Sequence, residues 1–337
     1  MRTLFLLLLL LPPMATTDEP AIDILFDADD GLKNPFGVAF DRQGRMIICE
    51  YLGGRLWRSN TDGTLEHIAG AKAKGYAGDG GPLAQAVFNG MHNVAIDGKG
   101  HLYISDTRNN LIRRVDAQTG IITTIAGKGK PGYNGDGIPA TEALLADPIS
   151  IALDPAGRQL YIADIRNRRI RMINLESSLI HTVAGNGRKG IPVDGAKAIK
   201  SPLVDPRGVA VDARGNLYIL ERGGHALRVV RKGRISTVAG TGKAHAADGP
   251  ALQAGLNGPK HLCIDTDGGV IIADAENHLV KRYDPGTQTL STLLGKGITK
   301  LNRPHGVWVD AKGVLTVCDS WNDRVLRVNR VTDHRAD

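Results

Sequence analysis

Short apolar runs alternate along almost the whole chain with polar turns built on Gly, Asp, Asn and Pro. One representative stretch holds four such runs, Asn93–Ile96, His101–Ser105, Leu111–Val115 and Ile121–Ala126. β-Branched residues recur in them, and Asp97-Gly98-Lys99-Gly100 and Asp116-Ala117-Gln118-Thr119-Gly120 make two of the turns. Each run predicts an antiparallel strand. The unit occurs six times. Its first strand leads into Asp41, Asp97, Asp154, Asp212, Asp265 or Asp310, at separations of 56, 57, 58, 53 and 45 residues. Its second strand ends on Glu50, Asp106, Asp164, Glu221, Asp274 or Asp319.

A four-stranded unit of this size has two apolar faces and cannot cover both alone, whereas a closed ring of such units covers them all. The pattern therefore predicts an all-β protein, a six-bladed β-propeller of four-stranded antiparallel blades. The last unit stops near Asn329 with three strands. Ala21–Phe26 matches the fourth strands elsewhere, so the N-terminal strand is expected to close the last blade. The propeller then occupies 18–330, with 331–337 as a tail.

Met1-Arg2, the apolar run Leu4–Leu11 and the Pro12-Pro13 stop, followed by small residues, predict a signal peptide over 1–17. The expected location is therefore exported, periplasmic or secreted, with no stable membrane insertion and the protein a monomer. Among 337 residues, 42 Gly and 16 Pro exclude a coiled coil or helix bundle, and 42% hydrophobic content excludes disorder. The formal charge of +7 favours anionic partners. With export expected, glycans or acidic small molecules fit better than nucleic acid. Three cysteines, an odd count, do not make a disulfide framework and are expected as small buried residues.

Leu102-Tyr103-Ile104-Ser105-Asp106 with Asn109-Asn110-Leu111-Ile112-Arg113, then Ile121–Gly127, resembles the NHL-repeat family of six-bladed propellers. The linkers Tyr76–Pro82 and Tyr133–Gly137, each with Gly-Asp-Gly, strengthen the resemblance. It covers essentially all of the mature chain and implies a fold rather than a function. Asp79 and Asp136 lack the alternating acids of a calcium loop and are expected to make local turn bonds.

Antiparallel order brings three sets of residues to one face: those opening the first strands, those after the second acids, and the linkers between blades. Phe36, His92, Ile149, Arg207, Lys260 and His305 open the first strands, with His261 one place further on. Three imidazoles at one channel mouth suggest a zinc site of His92, His261 and His305. Pro304-His305-Gly306 resembles the strand starts that carry zinc in peptidyl-hydroxyglycine amidating lyases. In such a metal site Arg207 is expected to hold a carboxylate, with Glu50, Glu221 or Tyr51 transferring protons. The turns after the second acids offer Glu50, Arg108, Arg166, Arg222, His225 and Trp321 as ligand-binding groups. Tyr51 and Trp321 lie in adjacent blades and are expected to form a stacking platform. No nucleophile elbow, P-loop or dinucleotide fingerprint appears. The sequence thus supports a module binding a small molecule, glycan or protein on its upper face. The alternative is a zinc-dependent lyase or hydrolase at the channel mouth.

Overall fold

A computed structural model describes residues 20–70 and 74–329. The expected leader and tail lie outside these residues. The chain forms six antiparallel sheets arranged as a ring, without an α-helix among the described residues. Blade two is Met91–Ile96, Leu102–Asp106, Leu111–Val115 and Ile122–Ala126, each strand pairing with the next. In blades three and five a two-residue strand, Ile138–Pro139 or Gly249–Pro250, adds a fifth at the outer edge.

Blade six closes the ring as expected. Its own strands Val307–Val309, Leu315–Asp319 and Arg324–Asn329 are completed by Ala21–Phe26, with Ala21 opposite Asn329 and Ile24 opposite Leu326. The core divides in the same way. Each of six apolar clusters draws on two adjacent blades, and one joins Phe26, Cys318 and Val325 of blade six to Val38, Ile48 and Trp57 of blade one. Each interface thus buries faces that a lone blade leaves wet. Cys49 and Cys318 are fully buried and Cys263 is half-buried, with no disulfide among the described residues.

The inner strands pack closely around the axis. A Cβ on Gly306 would stand 2.6 Å from the Phe36 carbonyl, and one on Gly37 would stand 2.8 Å from Asn93 Cα. Tight turns at the lower end are held by the first acids. Asp97 Oδ1 accepts the backbone N–H groups of Lys99 and His101, each at 2.9 Å, and Asp212 and Asp310 do the same in their blades.

The second acids fasten the upper end. Glu50, Asp106, Asp164, Glu221, Asp274 and Asp319 are fully buried. Each accepts a backbone N–H from the segment leading into the inner strand of its blade: Lys33, Asn89, Ala146, Val204, Asn257 and Asn302, at 2.6–2.8 Å. Buried third-strand cations sit behind four of them. Arg113, Arg171 and Lys281 also reach the linker acids Asp79, Asp136 and Asp248. The Gly-Asp-Gly acids therefore serve these cations rather than only their own turns, a correction to the local-turn expectation.

Candidate functional site

The second residue of the inner strand in blades one to four, and the equivalent residues just ahead of the inner strands of blades five and six, meet in one cavity at the upper mouth. Phe36, His92, Ile149, Arg207, Lys260 and His305 line it, and its volume is about 600 Å³, within the usual range of ligand sites of about 300–1,000 Å³. Turns after the second acids add Tyr51, Arg108, Arg166, Arg222 and Trp321 to its walls. The three sets of residues expected on one face thus meet there.

The cavity has a floor. Asn93 in blade two and His261 in blade five face each other across the ring, and Asn93 Nδ2 lies 2.9 Å from His261 Nε2. Asn93 Oδ1 also accepts the N–H of Ile151 at 2.9 Å, tying the plug to blade three. Below it the inner strands of all six blades line a second space of about 270 Å³, with Val94, Ile151, Val209 and Val307 on its walls.

His261 accordingly leaves the expected zinc set. It pairs with Ala273, as Gly37 pairs with Cys49 and Gly208 with Leu220, so it stands one level below the mouth. No bulge interrupts that pairing, and the mouth position falls to Lys260. Burial holds the His261 imidazole down at about 4. Phe36 stands between the remaining imidazoles, stacked on His305 with centroids 3.8 Å apart and edge-on to His92 at 5.3 Å. Among the described residues, no group of three His, Cys, Asp or Glu side chains is placed to hold a metal ion. Arg207 and Lys260 beside the imidazoles further disfavour a dication. The residues do not fit zinc.

Electrostatics set the character of the site. Arg108, Arg166, Arg168 and Lys189 line one side of the cavity, and Arg207, Arg222, Lys260 and Arg303 the other, against the carboxylates of Asp147 and Asp205. Several of these cations are paired: Arg166 with Asp147 at 2.7 Å, Arg222 with Asp205 at 2.6 Å, and both Lys260 and Arg303 with Glu276. Arg108 donates to the neutral Tyr51 hydroxyl at 3.0 Å.

Arg207 is different. It is 8% exposed, its Nε has no hydrogen-bond partner, and among the described residues no carboxylate lies within ion-pair distance, Asp205 acting on it only from further off. Burial, with Arg222 nearby, pulls its guanidinium down to about 10, and burial, with Arg207 nearby, pulls Lys260 down to about 8. Burial and the Arg207 charge likewise hold both mouth imidazoles well below their ordinary value, so His92 and His305 are neutral near pH 7.

Three other expected residues do not reach the cavity. Glu50 accepts from Arg55 Nε at 2.7 Å and Trp57 Nε1 at 2.8 Å, and Glu221 accepts from Arg228 Nε at 2.8 Å. Both carboxylates are consumed by the fold, which corrects their assignment to ligand binding and proton transfer. His225 accepts the Gly258 N–H at 3.1 Å, bracing blade four against blade five. The Tyr51–Trp321 platform does not form. Tyr51 stacks on Phe36 at 4.9 Å, while Trp321 stays half-exposed beneath Arg303, 5.1 Å away.

The sequence placed Lys260 at the mouth without giving it a role, and did not single out Arg168, Lys189, Arg303, Asp147 or Asp205. Asp147, Asp205 and Arg303 directly precede the prolines that open inner strands, so the residue before Pro carried as much signal as the one after it.

An NHL repeat model matches residues 256–283, the inner and middle strands of blade five. NHL repeat-containing protein 2 of Gallus gallus is 25% identical over 77% of this chain and 47% of its own length. This is a six-bladed β-propeller that carries an NHL repeat. The chain spans about half or less of the length of the curated relatives it matches first. A structural genomics protein of unknown function from Bacteroides thetaiotaomicron superposes with a TM-score of 0.68, at 15% identity, over 92% of this propeller and 76% of that chain. An auxiliary nutrient binding protein from the same organism gives a TM-score of 0.65 at 12% identity, over 88% and 69% respectively. At these identities the likeness is one of fold. No helix among the described residues is long and apolar enough to cross a membrane.

Proposed function

We propose that this NHL-repeat propeller is an exported binding module that captures an anionic ligand in its upper cavity. The observation that carries the reading is Arg207, a buried guanidinium that forms no ion pair among the described residues, at the bottom of a cationic bowl. An uncompensated buried charge is costly, and a fold keeps one where a ligand supplies the missing partner. The blind floor supports capture rather than passage, and the surrounding Arg and Lys side chains would steer anions inward. A structural neighbour described as an auxiliary nutrient binding protein shows one use of the same scaffold, consistent with this reading.

Calorimetric titration with a panel of small carboxylates, phosphates and sulfates tests it. At least one anion is expected to bind. Arg207→Gln should weaken it at least tenfold, because truncating one partner of a buried charge pair costs about 2–5 kcal/mol. Arg207→Lys should recover part of that loss. Affinity that is independent of both salt and Arg207 would overturn the proposal.

A further inference from the structure

Both imidazoles at the channel mouth are locked in one tautomer. Thr107 Oγ1 gives its proton to the Pro148 carbonyl at 2.6 Å, so it acts as an acceptor toward His92 Nδ1, 3.0 Å away. The other neighbour of that nitrogen is the Gly90 carbonyl at 3.2 Å. Two acceptors around Nδ1 place the proton there and leave the lone pair on Nε2. His305 repeats the arrangement, with Nδ1 2.9 Å from the Arg303 carbonyl.

Among the described residues neither Nε2 has a partner, neither is sealed from solvent, and both rings line the cavity. The cavity wall therefore offers two neutral acceptors beside a buried cation. A carboxylate satisfies the guanidinium but has no proton for either imidazole. A hydroxyl group has one.

We propose that the ligand is an acidic sugar, a uronate or sugar phosphate, whose anionic group meets Arg207 while its hydroxyls donate to Nε2 of His92 and His305. Tyr51 and the half-exposed Trp321 add aromatic faces against which the C–H face of a sugar ring can lie. The assignment rests on the anion-binding reading above and goes beyond it in naming the frame that carries the charge.

The test is calorimetry with four probes: a galacturonate trimer, glucose 6-phosphate, tricarballylate (three carboxylates, no hydroxyl) and a neutral galactose trimer. One or both acidic sugars should bind at least tenfold more tightly than tricarballylate and the neutral trimer. Whichever binds better identifies the anionic group. In histidine-labelled wild-type protein, the Nε2 resonances of His92 and His305 should move on saturation with the acidic sugar. His92→Phe with His305→Phe should lower its affinity at least tenfold. Tricarballylate binding as tightly as both acidic sugars, with Arg207→Gln weakening all three, overturns the sugar assignment and leaves anion capture standing. Failure of every anion to bind overturns both.

Discussion

Glu50 and Gly53 share one volume: a Cβ on Gly53 would fall inside the Glu50 carboxylate. The same pair recurs in blade four, where a Cβ on Gly224 would stand 2.9 Å from Glu221 Oε2. The other four blades have Asp at the acid position, and three residues on an Asn donates to it: Asn109, Asn167, Asn277 and Asn322, at 2.7–2.8 Å. A longer acid thus takes the space of the amide, and the residue opposite must lose its side chain. Gly53→Asn alone should destabilise by about 1–3 kcal/mol through overpacking against a buried carboxylate. Glu50→Asp with Gly53→Asn rebuilds the arrangement of the other blades and should recover most of that loss. Urea denaturation of both single variants and the double variant measures the coupling, and strict additivity would refute the shared volume.

Arg207 should cost the ligand-free fold stability. Its guanidinium is buried beside Arg222 with no ion pair among the described residues, Asp205 offsetting its charge only from further off, so replacement by an apolar side chain removes a poorly compensated charge. Arg207→Leu is expected to raise stability by about 1–4 kcal/mol while weakening anion binding. Thermal unfolding with and without a bound anion separates these effects. A variant less stable than the wild type would show that Arg207 is structurally compensated.

The ring, its closure and the level of each mouth residue were legible because they depend on repetition and on strand period, both local in sequence. Ala21–Phe26 could be placed in the last blade since it lacked a partner elsewhere and matched the missing strand. Roles decided by contacts between blades were not legible. Glu50 and Glu221 looked like functional departures from Asp, yet Gly53 and Gly224 make room for them within their own blades. His261 looked like a third metal ligand until the pairing register set it one level down, opposite Asn93. Arg207 stood in the correct position from the start, but its lack of an ion pair among the described residues is a property of three-dimensional neighbours, which no run of residues displays.

Lys260 gives the cavity a titration inside the accessible pH range. Burial and Arg207 hold its ammonium near 8 in the folded protein, against an ordinary value of 10.5. The folded state therefore releases this proton before the unfolded chain does. Between pH 8 and 10.5 the unfolded chain binds more protons, so Lys260 contributes stability that is full above 10.5 and is lost as pH falls through 8. Anion affinity should move the opposite way, declining as pH rises through 8 and a cation leaves the wall. Lys260→Met should flatten both trends. Anion affinity in the wild type that holds constant from pH 7 to 9.5 would count against Lys260 as part of the binding surface.

Asn93 should prove to be the floor of the cavity and a clamp on the ring together. Its amide is buried, accepts from Ile151 N–H and lies 2.9 Å from His261 Nε2. These contacts link blades two and three to blade five through the axis. Asn93→Ala removes both bonds and leaves the Ile151 N–H and the His261 ring facing an unfilled space. Orphaning buried polar groups costs about 1–3 kcal/mol each, so the variant should lose at least that much in denaturant unfolding. It should also join the upper cavity to the apolar space beneath. Hydrogen exchange at the Ile151 amide should then accelerate, and the variant should take up an apolar dye along the axis that the wild type excludes. Asn93→Asp keeps the acceptor for Ile151 but loses the amide donor toward His261 Nε2. It should retain slow exchange at Ile151 at neutral pH, which separates the clamp between blades two and three from the plug across the channel. Rapid Ile151 exchange in the wild type would show instead that the floor opens on its own.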